Sequence, residues 1–472
     1  MRAPQIKLFN TLSGKKEALP KPENGVMRLF VCGPTVYDYS HIGHARTYIV
    51  FDTLARYLRS LKIKTQYLQN ITNIDDKIIN RAAELSCDPL ELASKYEGEY
   101  MTDMKALNIF SVDIYARATD HLKNIFSQIN RLMEKGVAYQ TDNGIYFEVK
   151  KFRSYGKLSR QNLAATRPGW RIEPDPKKKD PLDFALWKFT PPTSGELCFD
   201  SPWGKGRPGW HIEDTAIAEK YLGLSYELHG GGMDLKFPHH EAEIAQARTL
   251  SGKNYFVKVW MHTGFLTVGG EKMGKSLNNF LTVRDILKKF TAESLRLLIL
   301  GHHYRTPFDF NNDVLTEAED AWWNILRTIS KLEKLGKARA SKKDKVISIS
   351  SSAMAEFEKN FATAMADDFN TPLAIASIYE FLGSIHKDIW KLSGPSARNA
   401  REAIVSKFET LGFKIQIPAI PARIKQLAET REKYRKKGYF ADADRIRKQL
   451  STLGYSIEDT PKGPFVWPEV KV

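Results

Sequence analysis

Two short clusters carry side chains suited to holding phosphate. His41-Ile42-Gly43-His44 stands at the start of a helical pattern, in which Ile42, Ala45, Ile49, Leu54 and Leu58 recur at near-helical spacing and predict a helix to about Leu61. Backbone N–H groups and the dipole at a helix N-terminus attract anions. Two imidazoles there can add hydrogen bonds to phosphate oxygens, and Gly43 lets a ligand approach the backbone. Lys272-Met273-Gly274-Lys275-Ser276 lies far downstream. Its lysines, three residues apart on a glycine-containing loop, can clamp a polyphosphate and follow its charge through a reaction. A match this short can arise by chance on its own. Together, in this order and on these elements, they are far more specific. Gly230-Gly231-Gly232 after His229 is read as a glycine loop, either a simple turn or a place of close backbone approach.

A second chemistry is metal ligation. His239 and Glu243 stand at i and i+4 of a predicted helix and so share one face. Cys32 ends the first predicted strand, and ligands of open α/β sheets bind at the carboxyl ends of strands. The plainer readings are a surface His–Glu pair and a core cysteine. Trp210 is either a pocket wall or core packing.

These residues need a scaffold. Met27–Gly33 is an apolar run ending in Gly-Pro, a strand followed by a loop. The helix from Ile42 and a strand candidate at Lys64–Gln69 complete a strand–helix–strand unit, the start of a parallel α/β sheet. Residues 116–200 hold basic, proline-containing stretches such as Glu173–Asp180 and read as an insertion. Tyr226–His229 as a strand and Pro238–Leu250 as a helix resume the pattern. Beyond Phe290 the chain turns helical. Gly336–Ala353, rich in Lys and Ser, reads as a linker. A helical pattern then runs to about Gly412, and Pro418 and Pro421 open a short C-terminal module.

Composition sets the outer limits. The 472 residues exceed one ordinary domain, and 42% hydrophobic with 27% charged residues is a globular balance. Wholesale disorder, collagen-like and disulfide-scaffold classes are thereby excluded. Cys32, Cys87 and Cys198 show no framework spacing. No apolar run approaches the ~20 residues of a membrane helix, and Met1–Lys16 lacks the apolar core of a secretory signal. A cytoplasmic protein is expected. Lys and Arg number 71 against 55 Asp and Glu, a net +16 that favours a polyanionic partner, nucleic acid first. Solubility alone is the bland explanation.

The two phosphate clusters resemble the nucleotide-binding signatures of class I aminoacyl-tRNA synthetases. Their surroundings resemble one family among these, the cysteinyl-tRNA synthetases. The resemblance is carried by Phe30-Val31-Cys32-Gly33-Pro34-Thr35-Val36-Tyr37-Asp38, Thr72-Asn73-Ile74-Asp75-Asp76-Lys77, Asp180–Lys188, Gly206–Glu213 and Phe237-Pro238-His239-His240-Glu241, and spans Lys7 to Trp467.

The resemblance implies an α/β fold. Its parts would be a Rossmann-type parallel-sheet catalytic domain (1–115 and 201–265) with an insertion (116–200), a connecting segment bearing the lysine loop (266–335), a mainly helical domain (336–415) and a small anticodon-binding module (416–472). It implies one zinc ion, whose ligands in the family are two Cys, a His and a Glu. The matching positions are Cys32, Asp214, His239 and Glu243. Asp214 departs from the family's cysteine. Either it ligates zinc at ~2.0–2.2 Å through oxygen, or three ligands remain, or the metal is lost; ligand chemistry favours the first. Gly274 departs from a serine in the lysine loop.

The activity implied is cysteine–tRNA ligation. L-cysteine reacts with ATP, accompanied by magnesium, to give cysteinyl-adenylate and pyrophosphate, and the amino acid passes to the terminal ribose of tRNA(Cys). His41, His44, Lys272 and Lys275 would act on phosphate. Gly43, Gly230, Gly231, Gly232 and Lys275 would hold ATP, and Trp210 and Thr72 would line the substrate pocket. Pro421–Leu450 carries ten Lys and Arg against four acids. There and just beyond, Arg435, Phe440, Asp444 and Asp459 match positions that read anticodon bases. A monomer is expected. Two other readings stay open here: a ligase passing cysteine to a small amine, and a non-catalytic RNA-binding derivative.

Overall fold

The computed structural model describes residues 4–161, 176–191, 196–272, 280–337 and 346–469. Five strands form its central sheet: β1 (Met27–Val31), β2 (Thr65–Ile71), β3 (Ile114–Arg117), β4 (Tyr226–Gly232) and β5 (Val257–Thr263). The order is β5-β4-β1-β2-β3, parallel throughout. A parallel sheet is covered on both faces, so its strands are near-continuous apolar runs: Met27, Leu29, Phe30 and Val31 are all 0% exposed. From β1 the chain winds to β2 and β3 on one side, then returns to β4 on the other. The β1/β4 gap is therefore the topological switch point, where ligands of such sheets bind.

Three helices carry the site: α1 (Ile42–Ser60) after β1, α2 (Trp210–Tyr221) before β4 and α3 (His239–Ser251) before β5. Between β3 and α2 a second, antiparallel sheet pairs 138–140, 144–147, 184–189 and 206–208 in that order.

The glycines after His229 form no loop. Gly230, Gly231 and Gly232 are the last residues of β4, paired with Met261, His262 and Thr263 of β5. A Cβ on Gly230 would lie 2.0 Å from the Phe51 ring of α1, and one on Gly231 would lie 2.8 Å from Leu235. These two glycines let α1 and the 233–237 turn press onto the strand.

Helices dominate beyond the sheet. Asn312–Lys337 runs through Gly336, so the expected linker starts later than its composition suggested; its residues 338–345 lie outside the described residues, and Ser351 opens the next helix. Ala422–Lys436, Phe440–Thr452 and the hairpin Tyr455–Glu458/Phe465–Pro468 form the C-terminal module around Ile424, Ile446 and Leu450.

α1 is tied at its middle and near its start. Arg46, 1% exposed, donates to the carbonyls of Phe265 at 2.6 Å, Tyr304 at 3.3 Å and Thr306, and covers the Phe308 ring. Asp52 pairs with Arg296 of the helix Ala292–Leu300. The amino end of α1 thus has a fixed position relative to the segment after β5.

Candidate metal centre and nucleotide cleft

Cys32 follows the last residue of β1, and its N–H donates to Gly230 O at 3.1 Å, which registers it against β4. α2 brings Asp214 to this point, and α3 brings His239 and Glu243 on one face. His239 Nε2 lies 3.0 Å from Asp214 Oδ2 and 3.0 Å from Glu243 Oε1; Cys32 Sγ lies 3.9 Å from Glu243 Oε1. The four donor atoms fall within 4.8 Å of one another, and all four residues are buried. A thiol, an imidazole and two carboxylates at this spacing fit a divalent cation of zinc type. Glu243 Oε2 makes no hydrogen bond, though it lies 3.5 Å from His229 Nε2, and a cation there would relieve the cost.

Two histidines that sequence reasoning left out belong to the same cluster. His229 Nε2 and His240 Nε2 lie 3.3 and 3.1 Å from Cys32 Sγ, so Cys32, His229, His240 and Glu243 make an overlapping donor set. The Nδ1 atoms of both rings are engaged, His229 with Tyr226 OH at 2.6 Å and His240 with His262 Nε2 at 2.8 Å. His240 adjoins His239, but neighbours on a helix point about 100° apart, so sequence alone did not bring both to one cysteine.

The electrostatics describe a centre short of positive charge. Burial raises the Cys32 thiol well above its ordinary value, and Glu243 and Asp214 push it further. Burial disfavours the charged form of His239, yet Glu243 and Asp214 outweigh it and lift His239 to about 9. Burial holds Glu243 up at about 7 against the pull of His239. Without metal, a proton on His239 therefore stands between two carboxylates. A divalent ion can replace it and hold Cys32 as thiolate.

Trp210 opens α2 and stacks on His239, ring centroids 4.1 Å apart. It lines a cavity of about 270 Å³ together with Cys32, His41, Gly43, His44 and Gly232. A neighbouring cavity of about 420 Å³ shares Trp210, Lys77 and Asp234 with it. Gly232 thus faces the cleft, whereas Gly230 and Gly231 face packing. Thr72 is buried, its hydroxyl accepting from Asn70 Nδ2 at 3.3 Å.

The amino end of α1 differs from a bare anion seat. His41 is its N-cap, and its Nδ1 accepts from Gly43 N–H at 3.0 Å and His44 N–H at 3.3 Å. Two of the helix's unpaired amides are thereby taken. The capped ring stacks on His44, centroids 3.8 Å apart, so the two imidazoles are held as a pair at the cavity wall. Burial lowers His44 well below the ordinary histidine value and keeps it neutral.

Of the lysine loop, Met273–Ser276 lies outside the described residues, as does the Lys272 side chain. Both flanks are described. Leu266 lines the cleft, and Glu271–Lys272 pairs with Thr267 and Val268. On the far side Ile42 N–H donates to Leu281 O at 3.1 Å and Val283 N–H to Ser40 O at 2.9 Å. The flank at Leu281–Val283 thus lies against the start of α1, and the flank at Leu266 lies at the cleft.

In the C-terminal module Phe440 is 65% exposed beside Tyr439 at 55%, and Asp444 is exposed. Arg435 and Asp459 pair with each other at 2.9 Å, and Asp459 also holds Arg431 at 2.5 Å. These charged groups brace the module as well as facing outward.

The tRNA synthetases class I (C) catalytic domain matches residues 19–320, the DALR domain 360–416 and the cysteinyl-tRNA ligase anticodon binding domain 418–466. A cysteine–tRNA ligase of Thermococcus gammatolerans is 43% identical over 99% of this chain and 100% of its own length. That of Pyrococcus abyssi is 44% identical over 99% of each. Among solved structures, a leucyl enzyme (LeuRS) of Agrobacterium radiobacter K84 in complex with tRNA aligns with TM-score 0.63 at 11% identity, covering 84% of this chain and 87% of its own. A Mycobacterium tuberculosis methionyl-tRNA synthetase aligns with TM-score 0.59 at 16% identity, covering 82% and 89%. These two share the fold.

Proposed function

The chain belongs to the cysteine–tRNA ligases, a family of class I aminoacyl-tRNA synthetases, and from that premise we propose how its residues divide the work. The reaction is the family's. A carboxylate oxygen of L-cysteine attacks the α-phosphorus of ATP, the bond to the β-phosphate breaks, and cysteinyl-adenylate and pyrophosphate form. The terminal ribose hydroxyl of tRNA(Cys) then attacks the carbonyl carbon, and AMP leaves. A small-amine ligase or a non-catalytic RNA binder is not favoured, because both the catalytic and the anticodon-binding domains match.

No protein nucleophile is required, so the protein aligns reactants and stabilises charge. His41 and His44, stacked at the cleft wall, receive phosphate with Lys272 and Lys275, and Gly43 and Gly232 let ATP lie against the backbone. Magnesium comes with the nucleotide. Cys32, Asp214, His239 and Glu243 would hold the zinc ion. Bound there, zinc would supply a borderline-soft Lewis acid that favours a thiolate over an alcohol and so would separate cysteine from serine, which a pocket of ordinary contacts does poorly. Trp210, stacked on His239, shapes the pocket beside it, and Thr72 lies next to the Asn70 amide behind Asp214. Arg435, Phe440, Asp444 and Asp459 meet the anticodon. A cytoplasmic monomer completes the reading, and light scattering tests the second word.

The observation that carries this assignment is a buried cluster of thiol, imidazole and two carboxylates whose Cys32 lines the same cleft as the stacked His41–His44 pair. Cysteine-dependent ATP–pyrophosphate exchange, with serine as comparison, tests it. Exchange with cysteine alone is the expected result. Equal use of serine would refute the thiol-selecting centre.

A further inference from the structure

We propose that Asn70 is the positioning residue that makes Asp214 a one-oxygen metal ligand. The inference rests on the reading that Asp214 is a ligand. Asn70 lies on β2, next to β1, and is 1% exposed. Its Oδ1 accepts from Gly33 N–H at 2.6 Å. A backbone N–H can only donate, so this bond settles which end of the amide faces which way. Nδ2 must then face Asp214, and it donates to Oδ1 at 2.6 Å; Thr72 Oγ1 takes a longer contact at 3.3 Å.

The consequence falls on Asp214. Its Oδ1 is committed to the amide, while its Oδ2 lies 3.0 Å from His239 Nε2, inside the donor cluster. A cysteine offers a metal one donor atom, whereas a carboxylate offers two. A chelating carboxylate would add a ligand and fill coordination space that an incoming thiolate needs. By holding Oδ1, Asn70 leaves Asp214 with the single donor that a cysteine would present. The Asn70 amide is itself anchored from the β1 side. β1 and β2 press so close here that a Cβ on Gly33 would lie 1.7 Å from Asn70 O.

The test uses the full-length protein loaded with cobalt(II), whose visible absorption reports ligand number and geometry. Asn70→Ala should weaken cobalt affinity about 10–100-fold, as for other residues that orient a metal ligand. Its d–d bands should also lose intensity as Asp214 chelates. In an Asp214→Cys background, where no second oxygen exists, Asn70→Ala should change affinity by no more than about twofold. An equal loss in both backgrounds would overturn the proposal, since Asn70 would then act through Gly33 and the sheet. So would no loss in either. Asp214→Ala is measured alongside: unchanged cobalt affinity there would refute the ligand reading itself, a separate failure. Asn70→Leu, which refills the volume, serves if the alanine variant does not fold.

Discussion

Replacing Asp52 with alanine removes a buried hub that holds α1. Its carboxylate is 0% exposed and accepts four N–H groups. Oδ1 takes Phe110 N–H at 3.2 Å and Ser111 N–H at 3.1 Å, and Oδ2 takes Arg56 Nε at 2.8 Å and Arg296 Nη2 at 3.2 Å. Arg296 is 1% exposed and cannot turn to water. It keeps Thr53 Oγ1 and the carbonyls of Leu411 and Leu107, but no carboxylate. Breaking one side of a buried pair leaves an uncompensated charge and costs about 3–5 kcal/mol. Removing both sides in favour of apolar groups of similar volume costs far less. Asp52→Ala should therefore destabilise more than Asp52→Leu with Arg296→Met. In a multidomain chain a single unfolding free energy is ill defined, so the assay is amide hydrogen exchange in α1 and in Ala292–Leu300. The single variant should raise exchange in both helices, with slower pyrophosphate exchange because His41 and His44 sit on the loosened helix. A loss under about 1 kcal/mol in the single variant, or a double variant equally damaged, would refute the reasoning.

Two further outcomes follow from the site and the C-terminal module. In metal-free protein His239, raised from 6.5 to about 9, and Glu243, raised from 4.5 to about 7, both bind protons more tightly folded than unfolded. Stability should thus fall as pH rises from about 4.5 through 9, and the Tm gain on adding zinc should grow across that window as the ion takes the protons' place; a gain independent of pH would contradict it. Phe440→Ala should weaken tRNA(Cys) binding by about 1–3 kcal/mol, the worth of one stacked base, and leave pyrophosphate exchange unchanged. Filter binding and exchange assays decide the matter, and a loss of exchange would place Phe440 in the catalytic half instead.

Local patterns were legible in the chain where one short segment carries the whole signal. The run Met27–Gly33, the start of α1 at Ile42 and the i, i+4 pair His239–Glu243 each depend on neighbours a few residues away, so periodicity and end residues determine them. The glycines at 230–232 misled for the same reason. A local rule reads three glycines as a turn, and only the approach of Phe51 and Leu235 makes them a strand. The His41 ring illustrates the middle case: its place at a helix start is sequence-determined, but its capping of Gly43 and His44 depends on the rotamer the folded cleft selects.

The metal centre belongs to the other class. Cys32, Asp214 and His239 are far apart in the chain and meet only where β1, α2 and α3 converge at the switch point of the sheet. The recruitment of His229 and His240 to Cys32, and of Asn70 to Asp214, has no local signature. Secondary structure is encoded by side chains within a few residues, whereas which donors share a buried volume is decided by long-range packing. The sequence alone therefore determined the elements and the kind of chemistry they carry. Tertiary structure decided which atoms face one another, and with it how an aspartate can stand where a thiolate is usual.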